Sequence, residues 1–285
     1  IASAQGVEIS GAAEMGYGSD QGGGAEGFFQ SVDVFFDMTG ETDNGLTFGA
    51  SLDLDDAGGT VDEVDRFADF TVFIGGAFGN LTMGDTDGAM DWAITEAVGN
   101  PGSIGDNETG HAGYLGGNAL DGAHNGQILR YDNSFGDFGF AVSVDVADQP
   151  GVDTGFGIGA TYGLGFAGGT VDFGLAYQST EVSPAAAARA SAYSIGGVAV
   201  PAFTNLDAIA VSAALALDSG FSAALAYTDI NVQGAQDAEH YQVSLGYEFG
   251  PFAIGANYGD FSGASTADGY GLAASYDLGG GASLH

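Results

Sequence analysis

The sequence predicts an all-β chain, a transmembrane antiparallel up-and-down β-barrel. Three observations predict it. Apolar and polar residues alternate with period two along most of the chain, and alternate side chains of a strand face opposite sides. The connections between alternating runs are short and long by turns, as in a barrel with tight turns at one rim and long loops at the other. Aromatic residues gather near the ends of the runs, where a membrane barrel carries its two girdles.

The elements follow in order. A first strand lies near 7–17. In 31–38, Val32, Val34, Phe36 and Met38 share one face, and Ser31, Asp33 and Asp37 share the other. In 46–55, Leu46, Phe48, Ala50, Leu52 and Leu54 oppose Thr47, Gly49, Ser51, Asp53 and Asp55. Strands near 66–75, 80–84 and 127–133 come next. Phe138, Phe140, Val142 and Val144 then oppose Ser143 and Asp145. After a strand near 154–163, Val171, Phe173, Leu175 and Tyr177 oppose Asp172 and Gln178. Strands near 207–217 and 221–229 precede Tyr241, Val243, Leu245, Tyr247 and Phe249, which oppose Gln242, Ser244 and Glu248. The series closes with 252–259 and 268–277, which makes fourteen strands, and a fifteenth begins near Gly281.

Short connections fall near 40–45, 76–79, 134–137, 164–169, 218–220, 249–251 and 277–281. They carry turn residues, such as Asp43-Asn44-Gly45 and Gly250-Pro251. Long connections fall near 18–27, 56–65, 85–126, 146–153, 179–206, 230–238 and 260–267. The Ala-rich stretch 185–192 is the best candidate for a short helical turn. Phe138, Phe156, Phe173, Phe221 and Phe252 fall early in strands that follow short turns, while Tyr162, Tyr177, Tyr227, Tyr247, Tyr258 and Tyr276 lie near strand ends.

Composition narrows the function classes. The chain of 285 residues reads as one domain, 1–285, with 45% hydrophobic residues, too many for disorder at this charge. Three Lys plus Arg against 38 Asp plus Glu give 3 − 38 = −35. Such a surface repels nucleic acid and attracts cations, divalent ones included. A soluble protein adapted to high salt has a similar composition. With no cysteine, disulfides and thiolate metal sites are excluded. No run reaches the ~18 apolar residues of a membrane helix. Ile1-Ala2-Ser3-Ala4-Gln5 reads as the end of a signal peptide, so the mature chain is expected to start at about Gln5, after export.

Several segments resemble the general diffusion porins of alphaproteobacterial outer membranes, especially those of photosynthetic bacteria. Glu41-Thr42-Asp43-Asn44-Gly45-Leu46-Thr47-Phe48-Gly49-Ala50 is similar to their second hairpin. The stretch from Val72 through Gly75-Gly76 to Gly84-Asp85 is similar to the hairpin entering their constriction loop. Gln127-Ile128-Leu129-Arg130-Tyr131-Asp132 resembles the strand leaving it, and Tyr270 to Ser283 resembles a late hairpin. The resemblance implies a barrel of sixteen strands, a homotrimer within outer-membrane lipid or lipopolysaccharide, and passive diffusion of small hydrophilic solutes. Two departures stand out. The family continues for about two more strands past Ser283-Leu284-His285, so a chain extending beyond His285 is expected. The basic residues that usually line one pore wall are nearly absent.

Candidate site residues cluster in 85–126, a connection of about forty residues, and loops that long are usually functional or disordered. Its place in the hairpin order, together with the resemblance, makes it the pore-constricting loop. It carries Asp85, Asp87, Asp91, Glu96, Asp106, Glu108 and Asp121, with no Lys or Arg. Strands add inward acids such as Asp33, Asp37, Asp53, Asp145 and Asp172. Arg130 sits between the lipid-facing Leu129 and Tyr131, which turns it inward, towards the constriction or into an ion pair with a nearby carboxylate. Arg66 shares the parity of Val72 and Ile74 and needs a β-bulge near 67–70 to turn inward. Arg189 lies in a long loop, solvated.

No cofactor is required. Calcium is the candidate ion, with Asp85, Asp87 and Asp91 as ligands. Asp85-Thr86-Asp87-Gly88 resembles the start of a calcium loop but lacks the glutamate at its twelfth position. His111, His124 and Asp121 make a poor zinc set, and Trp92 is expected to anchor the loop. No Ser/His/Asp context, phosphate loop or thiol appears, so no enzyme is predicted. The expectation is a cation-selective diffusion channel. The alternative is a soluble, acidic, calcium-binding β protein of adhesin or surface-layer type, though the nonapeptide repeat of calcium β-rolls is missing.

Overall fold

The computed structural model describes residues 6–18, 27–56, 70–99, 101–102, 109–115, 128–146, 149–184, 187, 194–195, 198–263 and 266–285. The chain begins with β1 (Gly6–Gly18), β2 (Gly27–Glu41), β3 (Thr47–Asp56), β4 (Phe70–Gly76) and β5 (Gly79–Gly84). A short helix, α1 (Ala89–Ala93), follows, and then β6 (Ile128–Phe135), β7 (Phe138–Asp145), β8 (Gly155–Phe166) and β9 (Gly169–Glu181). After the small hairpin of β10 (Ser194–Ile195) and β11 (Val198–Ala199) come β12 (Asn205–Leu217), β13 (Phe221–Val232) and β14 (Ala238–Phe249). The last elements are β15 (Phe252–Gly263), β16 (Ala267–Gly279) and β17 (Ala282–Leu284).

All strands except β10 and β11 join one fifteen-stranded antiparallel sheet, each paired with the next in sequence, with β9 meeting β12 directly. This is the up-and-down order that the short and long connections imply. Paired residues of antiparallel strands share a face, so the faces can be followed across the whole sheet. Val32, Leu54, Val72, Phe156, Phe173, Leu225, Tyr241 and Leu272 lie on the outer face, exposed. On the inner face of β12–β15, Ser212, Thr228, Gln242, Ser244 and Asn257 are buried. A soluble sandwich buries the apolar face and exposes the polar one. The inverse arrangement is that of a sheet whose outer solvent is lipid.

The girdles form on the outer face. At the short-turn rim Phe138 pairs with Tyr162, Phe221 with Tyr247 and Phe252 with Tyr276. At the long-loop rim Tyr227 meets Tyr241, with ring centroids 4.8 Å apart. Phe156 corrects one expectation. It opens β8, which follows a long connection, and its ring lies 5.7 Å from Tyr177, so it belongs to the long-loop girdle.

Two further differences concern β2 and α1, and one expectation concerns the Ala-rich stretch. Strand β2 begins at Gly27, four residues before the alternation at 31–38 starts, because β1 pairs with it as far as Gly18↔Gly27. Helix α1 went unpredicted, since five residues are too few to show a 3.6-residue period. Of the Ala-rich 185–192 stretch only Ala187 is described, and its N–H donates to the Ser183 carbonyl at 3.0 Å, a helical bond.

A polar, water-filled interior bounded by one inserted loop is also too simple. Val182, Ile195 and Val200, from the segment between β9 and β12, are buried against the inner-facing Leu206, Ile230, Val232 and Phe261. This second segment is pinned by the Val182 N–H to the Thr204 carbonyl, 2.9 Å, and the Phe203 N–H to the Val182 carbonyl, 2.8 Å. The wall at the mouth is therefore apolar where it is covered by chain.

Candidate pore constriction

The constriction starts from a shortened wall. Strand β5 has six residues, against 12–13 in β12–β16. The chain therefore leaves the sheet part-way up, at Gly84, and turns inward. Asp85 is exposed, and its N–H still bonds to the Phe70 carbonyl at 3.0 Å.

From there the segment runs along the inner face. Helix α1 packs on β7, β8 and β9, with Met90 and Ala93 buried. The Ala89 N–H donates to Ser143 Oγ on β7 at 2.9 Å. The Thr95 N–H donates to Ser212 Oγ on β12 at 3.0 Å, and the Val98 N–H to Ser244 Oγ on β14 at 2.8 Å. On its return the Leu115 N–H donates to Gln242 Oε1 at 3.2 Å. His240 Nε2 lies 2.7 Å from the Gly113 carbonyl, and His111 Nε2 lies 2.6 Å from Asn257 Oδ1 on β15. Trp92 anchors the segment as expected, packed against the buried cluster with its ring over Gly139.

The predicted site residues separate into groups. Arg130, on β6, points inward as its parity requires. Its Nε lies 3.2 Å from Asp132 Oδ1, and its Nη1 donates to the Asp87 carbonyl at 2.7 Å, with Asp87 Oδ2 at 3.9 Å. Arg130 and Asp132 side chains are each 13% exposed, whereas Asp87 is 66% exposed. Asn80 Nδ2 completes the cluster with a 3.1 Å bond to Asp132 Oδ2. Asp91, in the first turn of α1, and Glu96 are half-buried. Arg66, Asp106, Glu108, Asp121, His124 and Arg189 lie outside the described residues.

Of the expected calcium set Asp85, Asp87 and Asp91, the acid nearest a cation is Asp87, beside Arg130. Among the described residues no three His, Asp or Glu side chains gather as a metal site. Across the sheet, the inner face of β1–β3 carries Glu8, Glu14, Asp33, Asp37 and Asp53. Glu8 pairs directly with Asp37, whose Oδ1 accepts from Ser51 Oγ at 2.8 Å. Sequence reasoning missed the serines and His240. One signal was available: glycine at 155, 157 and 159 leaves the inner face of β8 bare, and such glycines mark close approach of another backbone.

A family model described as Gram-negative porin matches residues 1–285. The chain belongs to the Gram-negative porins. This porin is 31% identical over 294 residues to a porin of Rhodobacter capsulatus, covering 98% of this chain and 92% of that one. A solved porin structure refined at 1.8 Å matches with a TM-score of 0.66 and 26% identity, over 98% of this chain and 92% of that chain. A triple mutant of Rhodopseudomonas blastica porin matches with a TM-score of 0.60 over 97% of this chain and 92% of that chain. At 20% identity that last likeness speaks for the fold alone. Membership makes this porin an outer-membrane channel for diffusion. The soluble adhesin alternative finds no support, and the outward apolar face argues against it.

Proposed function

We propose that this porin passes small hydrophilic solutes with a preference for cations, as a homotrimer set in outer-membrane lipid or lipopolysaccharide. One observation carries the preference. The inner wall of β1–β3 and the constriction segment both present carboxylates, while the inward Arg130 is already engaged by Asp132 and Asp87. Low-dielectric walls focus the field of such charges into the water between them, which raises the local cation concentration. Selectivity then comes from pore width and fixed charge, with no chemical step. Calcium is expected to gather along the passage as mobile counter-ion.

Replacing Asp85, Asp87 and Asp91 together by Asn tests this reading. The zero-current potential of planar bilayers under a salt gradient should move towards zero. An unchanged potential would place the selectivity elsewhere.

A further inference from the structure

We propose that the outer face of β12–β15 carries a binding site for an outer-leaflet lipid with an ammonium headgroup. The proposal rests on the lipid setting given above and not on the ion preference of the lumen. The acyl chain lies in an outward groove of about 400 Å³ on these strands. That volume falls within the roughly 300–1,000 Å³ of small-molecule clefts. Ala213 makes the depression. It pairs with Leu225 across the sheet, and Val211 beyond it pairs with Tyr227, so larger side chains rise around a short one. Val243 completes the floor, and Tyr227, Tyr241 and Tyr258 wall it. Long loops lie on the external side of such barrels, so the tyrosine end of the groove meets the outer leaflet.

The tyrosines and the acids beside them define the headgroup. Tyr227 and Tyr241 pair directly, with their rings tilted by 44°. The Tyr258 hydroxyl donates to Asp260 Oδ2 at 3.1 Å, and the Tyr227 hydroxyl donates to Glu239 Oε1 at 3.5 Å. These bonds hold the rings at the groove with carboxylates next to them. Aromatic rings attract an ammonium group through their quadrupole, and carboxylates attract it by charge.

Charge complementarity decides the occupant. Asp229 stands directly opposite Glu239, and Asp260 directly opposite Asp268, all on the outward face. Like charges directly opposed across strands destabilise the pair. No Lys or Arg occurs in 190–285, so this stretch of chain supplies no permanent cation to relieve them. A cationic headgroup relieves them, and an anionic one adds repulsion. A second outward groove, of about 500 Å³, lies beside Leu245, Ile254 and Leu272 towards the short-turn rim. Its outward neighbours at that rim are Phe249, Phe252 and Tyr276, with no acid among them. The lower groove suits any acyl chain, whereas the upper one selects by headgroup.

The test uses the purified protein in a nonionic detergent, loaded with phosphatidylcholine or phosphatidylglycerol of the same acyl chains. Native mass spectrometry counts the lipid retained. Phosphatidylcholine should be retained at least about threefold better, as befits a cation at exposed aromatic rings. Glu239→Gln with Asp260→Asn should erase that preference, while Tyr241→Leu, which keeps the groove apolar, should weaken it about twofold. Unit conductance should not change, because these side chains face away from the lumen. Equal retention of the two lipids would overturn the proposal, as would a preference that survives the double variant. Phosphatidylglycerol held better once calcium is added would assign the acids to a metal-bridged phosphate instead and would also overturn it. So would a groove that retains no lipid and whose Tyr241→Leu change dissociates copies of the protein. If the double variant fails to fold, Tyr241→Leu decides alone. The lumen's preference is read separately from the zero-current potential, so either reading can fail while the other stands.

Discussion

At Arg130 the chain spends one of its three basic residues on holding its own wall. The alternation Leu129, Arg130, Tyr131 made its direction legible, and Asp132, two residues on, had to share its face. The third partner, the Asp87 carbonyl, was not legible, since it depends on where a loop 43 residues distant comes to rest. Removing the guanidinium leaves Asp132 with the bond it accepts from Asn80 Nδ2. Arg130→Met should therefore cost about 1–3 kcal/mol, the range for a charged group losing a hydrogen-bond partner. It should also strengthen the cation preference. A lower temperature for loss of β structure, together with a zero-current potential further from zero, is the expected pair of results. Ser143, Ser212 and Ser244 illustrate what residue identity conceals. Small polar residues suit any inner wall, and only the folded segment shows which of them receive its N–H groups.

Among the elements, the strands were read closely because a period of two survives over 8–15 residues and one face must meet lipid. Helix α1 and the β10–β11 hairpin were missed because they are short and owe their existence to the wall beneath them. The segment between β9 and β12 shows this dependence. Its Val182, Ile195 and Val200 have no periodic pattern, yet they bury against Leu206 and Ile230, both fully buried. Leu206→Ala should cost about 2–4 kcal/mol, as large-to-small changes in packed cores do. Limited proteolysis should then cut within 182–204 faster than in the unmodified protein, while the sheet persists. Equal cutting rates would mean that this cover is held by its backbone alone.

For the molecule as a whole, the sheet is turned inside out relative to a soluble fold, and its stability should follow that inversion. Ile158 is outward and exposed on β8, and Thr161 is inward on the same strand. Ile158→Arg should destabilise by about 2–4 kcal/mol if it lies at the bilayer midplane, whereas Thr161→Arg should leave stability nearly unchanged and shift selectivity towards anions. Unfolding in lipid vesicles separates the two.

Charge is the other whole-molecule property. The net −35 was plain in the sequence, but the gathering of acids on the inner face of β1–β3 needed the register that joins Glu8 to Asp37 and Phe35 to Asp53. Screening should weaken its effect as the Debye length falls from ~10 Å at 0.1 M to ~3 Å at 1 M. The most direct measurement is the zero-current potential of the purified protein in a planar bilayer, with KCl at about 0.1 M facing about 1 M. The account predicts that the dilute side becomes positive, as cations cross ahead of anions. A dilute side that becomes negative, or shows no potential, would contradict it.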